Sequence, residues 1–427
     1  MRKEVFFITF ILFLFFLFLK GISFSEEIKL NLDKCVNLSL ENNPQLLIVK
    51  SRVEQAKGVY DRTHSAILPK LKYGFDYSKT YPMGIVNLPV GAGFQQIIIQ
   101  PEDNYILYAG FSCLITTFGR VEAAVAATYF QIKFAEANYL AAINDTRYNT
   151  KKSYFDFRQL EMLENITEEG VKLAEGYVVN SNSLYKNGII PKYDLIRMDY
   201  YLSQAKFNYE TALKASEVNK LYLLNQIGIS VDSKVEFDKE NNFDVKEIEL
   251  NLDELKKTAM EKRPEIVSIN MAVKSSNLLL NSAKSGYNPD LMFTSSYQIL
   301  PVPAGFTGNS NNWVSLFRIS WPIFDSGETV GKIKEAEAQL KQVEMSSYEM
   351  KQKILLEVQD AFLTYKEAVS KYKTAEKSLE QAKEALRVGQ IRYKEGVSTS
   401  LELQDTNNSF LRAQADYVNA VYLYYYQ

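Results

Sequence analysis

Leu250-Asn251-Leu252-Asp253 repeats, 220 residues farther on, the run Leu30-Asn31-Leu32-Asp33, and this recurrence decides how the rest of the chain is read. At the same offset Pro44 is matched by Pro264, Pro69 by Pro289 and Tyr77 by Tyr297. Farther along, the offset falls to 208. Gly119 then pairs with Gly327, Tyr185 with Tyr393, Gly188 with Gly396, Ala205 with Ala413 and Tyr209 with Tyr417. Self-similarity at a fixed spacing marks a structural unit written twice. The offset changes within residues 81–103, a Gly- and Pro-rich stretch longer than its counterpart near 301–312, and a change of length there marks a loop. The first repeat is assigned to residues 26–227 and the second to 250–427. Each reads as helix, strand, loop, strand, long helix, turn, helix. Between them, residues 228–249 are polar and rich in Asp, Glu and Lys, which predicts a short irregular or β-containing belt.

The strands follow a period of two. Near 70–80, Leu71, Tyr73, Phe75 and Tyr77 alternate with Lys72, Gly74 and Asp76. Near 103–117, Tyr105, Leu107, Ala109, Phe111, Cys113 and Ile115 share a face. Near 290–300, Leu291, Phe293, Tyr297 and Ile299 oppose Thr294, Ser296 and Gln298. Near 311–324, Trp313, Phe317, Ile319, Trp321 and Ile323 oppose Arg318 and Ser320. Strands of about ten residues with one aromatic face have the length that crosses a tilted bilayer path. A soluble antiparallel sheet with one wet face has the same alternation. If the strands do span a membrane, four cannot close a barrel and an open edge cannot face lipid, so several copies must share one.

The helices come in matched lengths. Residues 119–187 and 327–395 are 69 residues each, free of proline, and about 100 Å long as α-helices. The remaining helices, roughly 32–66, 191–227, 252–286 and 399 to the end, are about half that, so two short ones laid end to end equal one long one. In the second long helix Ile354, Val358, Ala361, Tyr365, Ala368, Tyr372, Ala375, Leu379, Ala382, Leu386, Gly389 and Tyr393 keep steps of four and three, a sustained heptad seam. Ile333, Ala336, Leu340, Val343, Ser347 and Met350 carry it upstream, with one stutter where two steps of four meet. The first long helix keeps the seam less strictly, with Glu164 and Thr167 intruding. A plain coiled-coil rod accounts for the seam but not for strand pairs that interrupt the helices twice.

Residues 1–25 read as a secretory signal: Arg2 and Lys3 precede a run from 5 to 19 that is almost wholly apolar, and Ser23-Phe24-Ser25 resembles a small-residue cleavage site. A retained N-terminal anchor is the other reading, although the run is short for a membrane helix. Removing the segment takes away three basic residues and one acidic one, moving the net charge from −2 to about −4. That balance gives nucleic acid no basic footprint. The 427 residues hold one histidine, His64, so His-based triads and multi-His metal sites are nearly excluded. Cys35 and Cys113 lack metal-type spacing and read as buried or unpaired thiols. Residues 327–332 approximate a phosphate loop but are one residue short and lack Ser or Thr after Lys332. No catalytic, cofactor or metal site is assigned.

With the leader, duplicated halves, strand pairs and matched helices in place, the chain resembles the TolC family of outer-membrane efflux proteins over nearly all of its mature length. The resemblance rests on Arg392-Tyr393-Lys394-Glu395-Gly396, then Leu401-Glu402-Leu403-Gln404-Asp405, then Leu411, Ala413, Ala415 and Tyr417. Phe324-Asp325-Ser326-Gly327, where a strand gives way to a helix, is a second characteristic site. The family implies a mainly α chain with a membrane β-barrel. It implies a homotrimer in which twelve strands form the barrel within outer-membrane lipid, on a long coiled-coil α-barrel. It further implies docking to a periplasmic adaptor and an inner-membrane transporter, as the passive exit duct of tripartite efflux or type I secretion. A structural periplasmic coiled-coil spacer or adaptor is the alternative, and it has no use for the aromatic strands.

The helix-turn-helix tips fall at 185–194 and 393–402, where Gly188, Pro191 and Gly396 break the helices. In the family, two acidic positions of the second tip face the pore constriction. They match Glu402 and Asp405, with Glu where Asp is common. Three residues apart on a helix, both can face one side, and three chains would give six carboxylates in a cation-attracting ring. Thr399 and Glu402 also have the spacing of a capping box, a purely structural use that can coexist with the first. A tip contact that holds the closed state in the family matches Tyr393 and Asp194, although Tyr393 also simply continues the seam. Some members use an Arg at the position of Ser398 for the same latch, and this chain lacks it.

Overall fold

Alternating side chains force a strand's two faces apart, and the chain's longest sheet keeps that separation across four strands. The computed structural model describes residues 28–91, 93–100, 102–238, 247–300 and 311–426, so the leader at 1–25 lies outside the described residues. The elements run β1 (Ile28–Leu30), α1 (Leu32–Asn42), α2 (Pro44–His64), β2 (Lys70–Lys79), β3 (Gly84–Val90), β4 (Gly93–Gln100), β5 (Asp103–Thr116), α3 (Arg120–Lys186) and α4 (Lys192–Gln226). They continue as β6 (Val235–Phe237), α5 (Leu252–Lys262), α6 (Pro264–Lys284), a 3-10 turn at Ser285–Tyr287, β7 (Asp290–Ile299), β8 (Asn311–Ser320), α7 (Glu328–Lys394) and α8 (Ser400–Tyr426). Two compact units result. One is Met1–Leu47, Ala142–Lys256 and Leu356–Gln427; the other is Ile48–Ala141 and Lys257–Leu355.

The second of these units carries the sheet, ordered β2-β5-β7-β8 with every pair antiparallel. Its register gathers most of the aromatic side chains on one face. Tyr73, Ala109, Tyr297 and Trp313 lie in one row, and Cys113, Phe293 and Phe317 in another. Ring pairs Phe111–Phe293, Phe293–Phe317 and Tyr297–Trp313 knit this face together. The opposite face is mixed, with Lys72, Asp76, Thr294, Ser296, Gln298 and Arg318 among Ile106, Tyr108, Met292 and Leu316. The outer strands β2 and β8 are exposed on both faces, and on the aromatic one Leu71 is 84% accessible and Trp313 68%. The outer edges of β2 and β8 take no partner among the described residues. No described helix is long and apolar enough to cross a membrane.

Three details differ from the expectations set by alternation alone. Ile115 sits where the β5–β7 register slips, between Leu114 and Thr116, so it leaves the aromatic row. β8 stops at Ser320 because Pro322 has no N–H to donate to a ladder, which leaves Trp321 and Ile323 beyond the strand. Residues 81–103, expected as a loop around Gly91 and Gly93, instead hold the β3–β4 hairpin, which pairs with nothing else described. Its strands mix apolar and polar residues on both faces, with Asn87, Gln95 and Gln96 beside Ile97 and Ile98, so they lack the alternation that reveals a half-buried strand.

Each strand-to-helix corner is the same left-handed turn. Phe118 and Gly119 have φ of 47° and 108°, and Ser326 and Gly327 have 55° and 89°. At the first corner Glu122 reaches back to accept from the Thr116 and Thr117 hydroxyls and from the N–H groups of Thr117 and Gly119. At the second, Asp325 accepts from the N–H groups of Gly327 and Thr329. Different acids thus satisfy equivalent orphan donors.

In the other unit β1 and β6 pair in parallel, and beside them Leu30, Cys35, Tyr154, Phe157, Leu223, Leu224, Ile227 and Val235 form an apolar core. Part of the expected belt at 228–249 is therefore β; residues 239–246 lie outside the described set. Cys35 is fully buried there, and desolvation pushes its thiol up to about 12. The expected single helix over 32–66 breaks at Asn43, because proline disfavours helix in the residue before it and starts a new helix well. Asn43 accepts from the N–H groups of Gln45 and Leu46 and donates to the carbonyl of Gln226, where α4 ends. Pro264 breaks the 252–286 helix in the same way. Along α7 the heptad seam is buried or half-buried at every position except Ala361.

Candidate functional site

The two helix-hairpin tips turn by the same device. Gly188 and Gly396 have φ of 70° and 73°, and the following N–H groups reach five residues back, Ile189 to Leu184 and Val397 to Arg392. This closes the last carbonyls of α3 and α7 in a Schellman arrangement, for which a glycine at the left-handed position carries no Cβ penalty. Beyond the turns, Pro191 precedes α4 without a side-chain cap, whereas the Thr399 hydroxyl caps the Glu402 N–H at 3.2 Å and starts α8.

Glu402 lies in that first turn, but its carboxylate does not stand free. It pairs with the Arg392 guanidinium across the turn and accepts from the Ser398 hydroxyl at 2.9 Å. Of the expected capping box, the Thr399 half is formed, while the carboxylate turns to Arg392 and Ser398 instead of the Thr399 N–H. Ser398 acts as a donor to the acid. Asp405 is exposed and makes no hydrogen bond or ion pair among the described residues. The two acids, one helical turn apart, consequently differ in charge presented to solvent.

Tyr393 is 3% accessible, and its hydroxyl lies 2.9 Å from that of Ser181 on α3. Asp194, in the first turn of α4, accepts from the Ser400 hydroxyl at 2.7 Å. Tyr393 and Asp194 thus take separate partners and share no hydrogen bond among the described residues. Both contacts join the α3–α4 hairpin to the α7–α8 hairpin. Ser181, on the looser seam of the first long helix, is buried as that seam implies; Ser400 and Asn407 are buried polar groups that the sequence analysis does not single out. Their signal was present but faint: Ser400, Leu403 and Asn407 follow the helical three-four spacing that marks an inward face.

Residues 255–426 match the family model described as Outer membrane efflux protein. No curated protein matches the chain in sequence. Among solved structures, the Campylobacter jejuni CmeC outer membrane channel superposes with a TM-score of 0.81 at 20% identity, covering 92% of this chain and 83% of that one. The outer membrane protein VceC of Vibrio cholerae gives 0.77 at 17% identity, covering 92% and 93%. The open-state Neisseria gonorrhoeae MtrE outer membrane channel gives 0.74 at 21% identity, covering 92% and 88%. The chain has the fold of these outer-membrane channels.

Proposed function

We propose that this chain, whose second half belongs to the outer membrane efflux protein family, is one of three identical subunits of a passive exit duct through the outer membrane. The observation that carries the reading is the open sheet: four strands with one aromatic face, an opposite face that holds most of the charged and polar side chains, and two edges unpaired among the described residues. In lipid such edges must be paired, and three copies supply twelve strands, enough to close a barrel with its polar face inward. Exposed apolar residues along α4, Tyr193, Ile196, Tyr200 and Phe207, favour further contacts between copies. Residues 26–227 and 250–427 are read as the two repeats, with 228–249 as a belt between them and 1–25 as an export signal. Energy would come from an inner-membrane transporter, coupled through a periplasmic adaptor, in tripartite efflux or type I secretion. A structural spacer is disfavoured because it would leave the aromatic strands without a purpose.

Within this reading Asp405 supplies the main charge of the constriction, and Arg392 screens that of Glu402. The latch at Tyr393 and Asp194 is carried by two bonds, to Ser181 and to Ser400. Planar-bilayer conductance of the detergent-purified protein tests the assignment. Cation-selective channels are expected, with selectivity lowered in Asp405→Ala, lowered further in Glu402→Ala/Asp405→Ala, and raised in Arg392→Gln. Channels indifferent to all three changes would move the constriction elsewhere. A folded trimer that never conducts, even with Tyr393→Phe and Ser400→Ala loosening the tip, would count against a duct.

A further inference from the structure

The tip's two hairpins are joined by side chains that form one directed series of hydrogen bonds. Gln390 on α7 donates to the Tyr177 hydroxyl on α3 at 3.0 Å, and that hydroxyl donates at 3.5 Å to Asn407 Oδ1 on α8. Asn407 Nδ2 donates to the Tyr201 hydroxyl on α4, which in turn donates to Asn408 Oδ1 at 3.3 Å. Each hydroxyl accepts once and donates once, so a single orientation of protons satisfies every member. The series touches all four helices, and each of its bonds crosses from one hairpin to the other. Ser181–Tyr393 and Asp194–Ser400 do the same nearer the turn.

The spacing is regular on both sides. Asp194 and Tyr201 are seven residues apart on α4, as are Ser400 and Asn407 on α8, one heptad on each helix. Asn407 is completely buried, and it is the only member bonded to both Tyr177 and Tyr201. Burial raises both tyrosine hydroxyls above their ordinary range, so they stay protonated near neutrality and remain donors. A buried amide whose partners are fixed tolerates no slip, because a shifted register strands its donor and acceptor without water. Such residues are known to fix register between helices at some cost in stability.

We infer that Asn407 is the positioning residue of the tip: it sets the register of the α7–α8 hairpin on the α3–α4 hairpin and so turns Asp405, two residues away on the opposite face of α8, out of the bundle. The second clause rests on the reading of Asp405 as a constriction residue. Hydrogen exchange and conductance on the detergent-purified oligomer test it, using Asn407→Leu, Tyr201→Phe and the double variant.

In Asn407→Leu, amides 400–412 should exchange about tenfold faster or more, as expected from a lost buried hydrogen-bond partner. Amides 220–227, in the apolar core, should keep the parent's rate. The double variant should exchange no faster than Asn407→Leu alone, because one series broken once is broken. Cation selectivity should fall toward that of Asp405→Ala. Unchanged exchange at 400–412, or additive effects of the two substitutions, would overturn the inference. If Asp405→Ala itself leaves selectivity unchanged, the constriction reading fails, and exchange alone then decides whether Asn407 sets the register. Should Asn407→Leu fail to assemble, Tyr177→Phe and Tyr201→Phe carry the same exchange comparison.

Discussion

At the scale of single residues, the partners a charge is given decide how it behaves. Glu122 shows this away from the tip. Desolvation works to raise its pKa, but the Thr117 hydroxyl and the N–H groups of Glu122, Thr117 and Gly119 outweigh it and hold the carboxyl at about 2. A carboxylate depressed in the folded state stabilises above its ordinary pKa of 4.5, and that stability disappears as pH falls from there toward about 2. Glu122→Gln should therefore melt at a lower temperature than the parent at pH 6 and differ little from it near pH 2, measured by thermal denaturation followed by circular dichroism. A gap that persists unchanged at low pH would mean the carboxylate's charge is not what the corner uses. At the second corner the Thr329 hydroxyl and N–H lead in holding Asp325 below the usual carboxylate range. The sequence could not show this division of labour, since position 117 is Thr in one repeat and position 325 Asp in the other.

At the scale of elements, glycine conformations explain where helices stop. Gly228 ends α4 with φ of 73°, and a Cβ built there would lie 2.6 Å from the Asn42 carbonyl oxygen. Gly228→Ala therefore meets both a left-handed backbone and a backbone atom that cannot move aside, and should destabilise by about 1–3 kcal/mol. Urea titration of the purified protein, monitored at the helix signal, would register it as a lower midpoint. The helix seams were legible in sequence because a heptad is a local pattern and each residue reports its own face. The breaks at Pro44 and Pro264 are written in the same letters, since a proline restricts the φ and ψ of the residue before it. The β3–β4 hairpin is not legible in the same way, since strands that mix apolar and polar residues on both faces carry no alternation.

For the whole molecule, the open sheet sets the expectation that the chain is stable only as an assembly. Cross-linking and light scattering in detergent should give a trimer. Membranes washed with carbonate or urea should retain the protein until detergent is added. Release by carbonate would favour a peripheral coiled-coil protein. The sequence by itself determined the duplication, the matched helix lengths, the two-faced strands and the glycine turns at both tips, because each is written along the chain: the first two in recurrence at offsets of 220 and 208, the others in spacings shorter than one element. Only the tertiary structure decided which polar group answers which. Tyr393 could have met Asp194 and instead meets Ser181, Glu402 is answered by Arg392, and Asn407 joins two tyrosines from the other hairpin. The partners across the hairpins stand some 200 residues apart, where no local period constrains the pairing. The choice falls to the register of packed helices and to the cost of leaving a buried donor or acceptor unmatched.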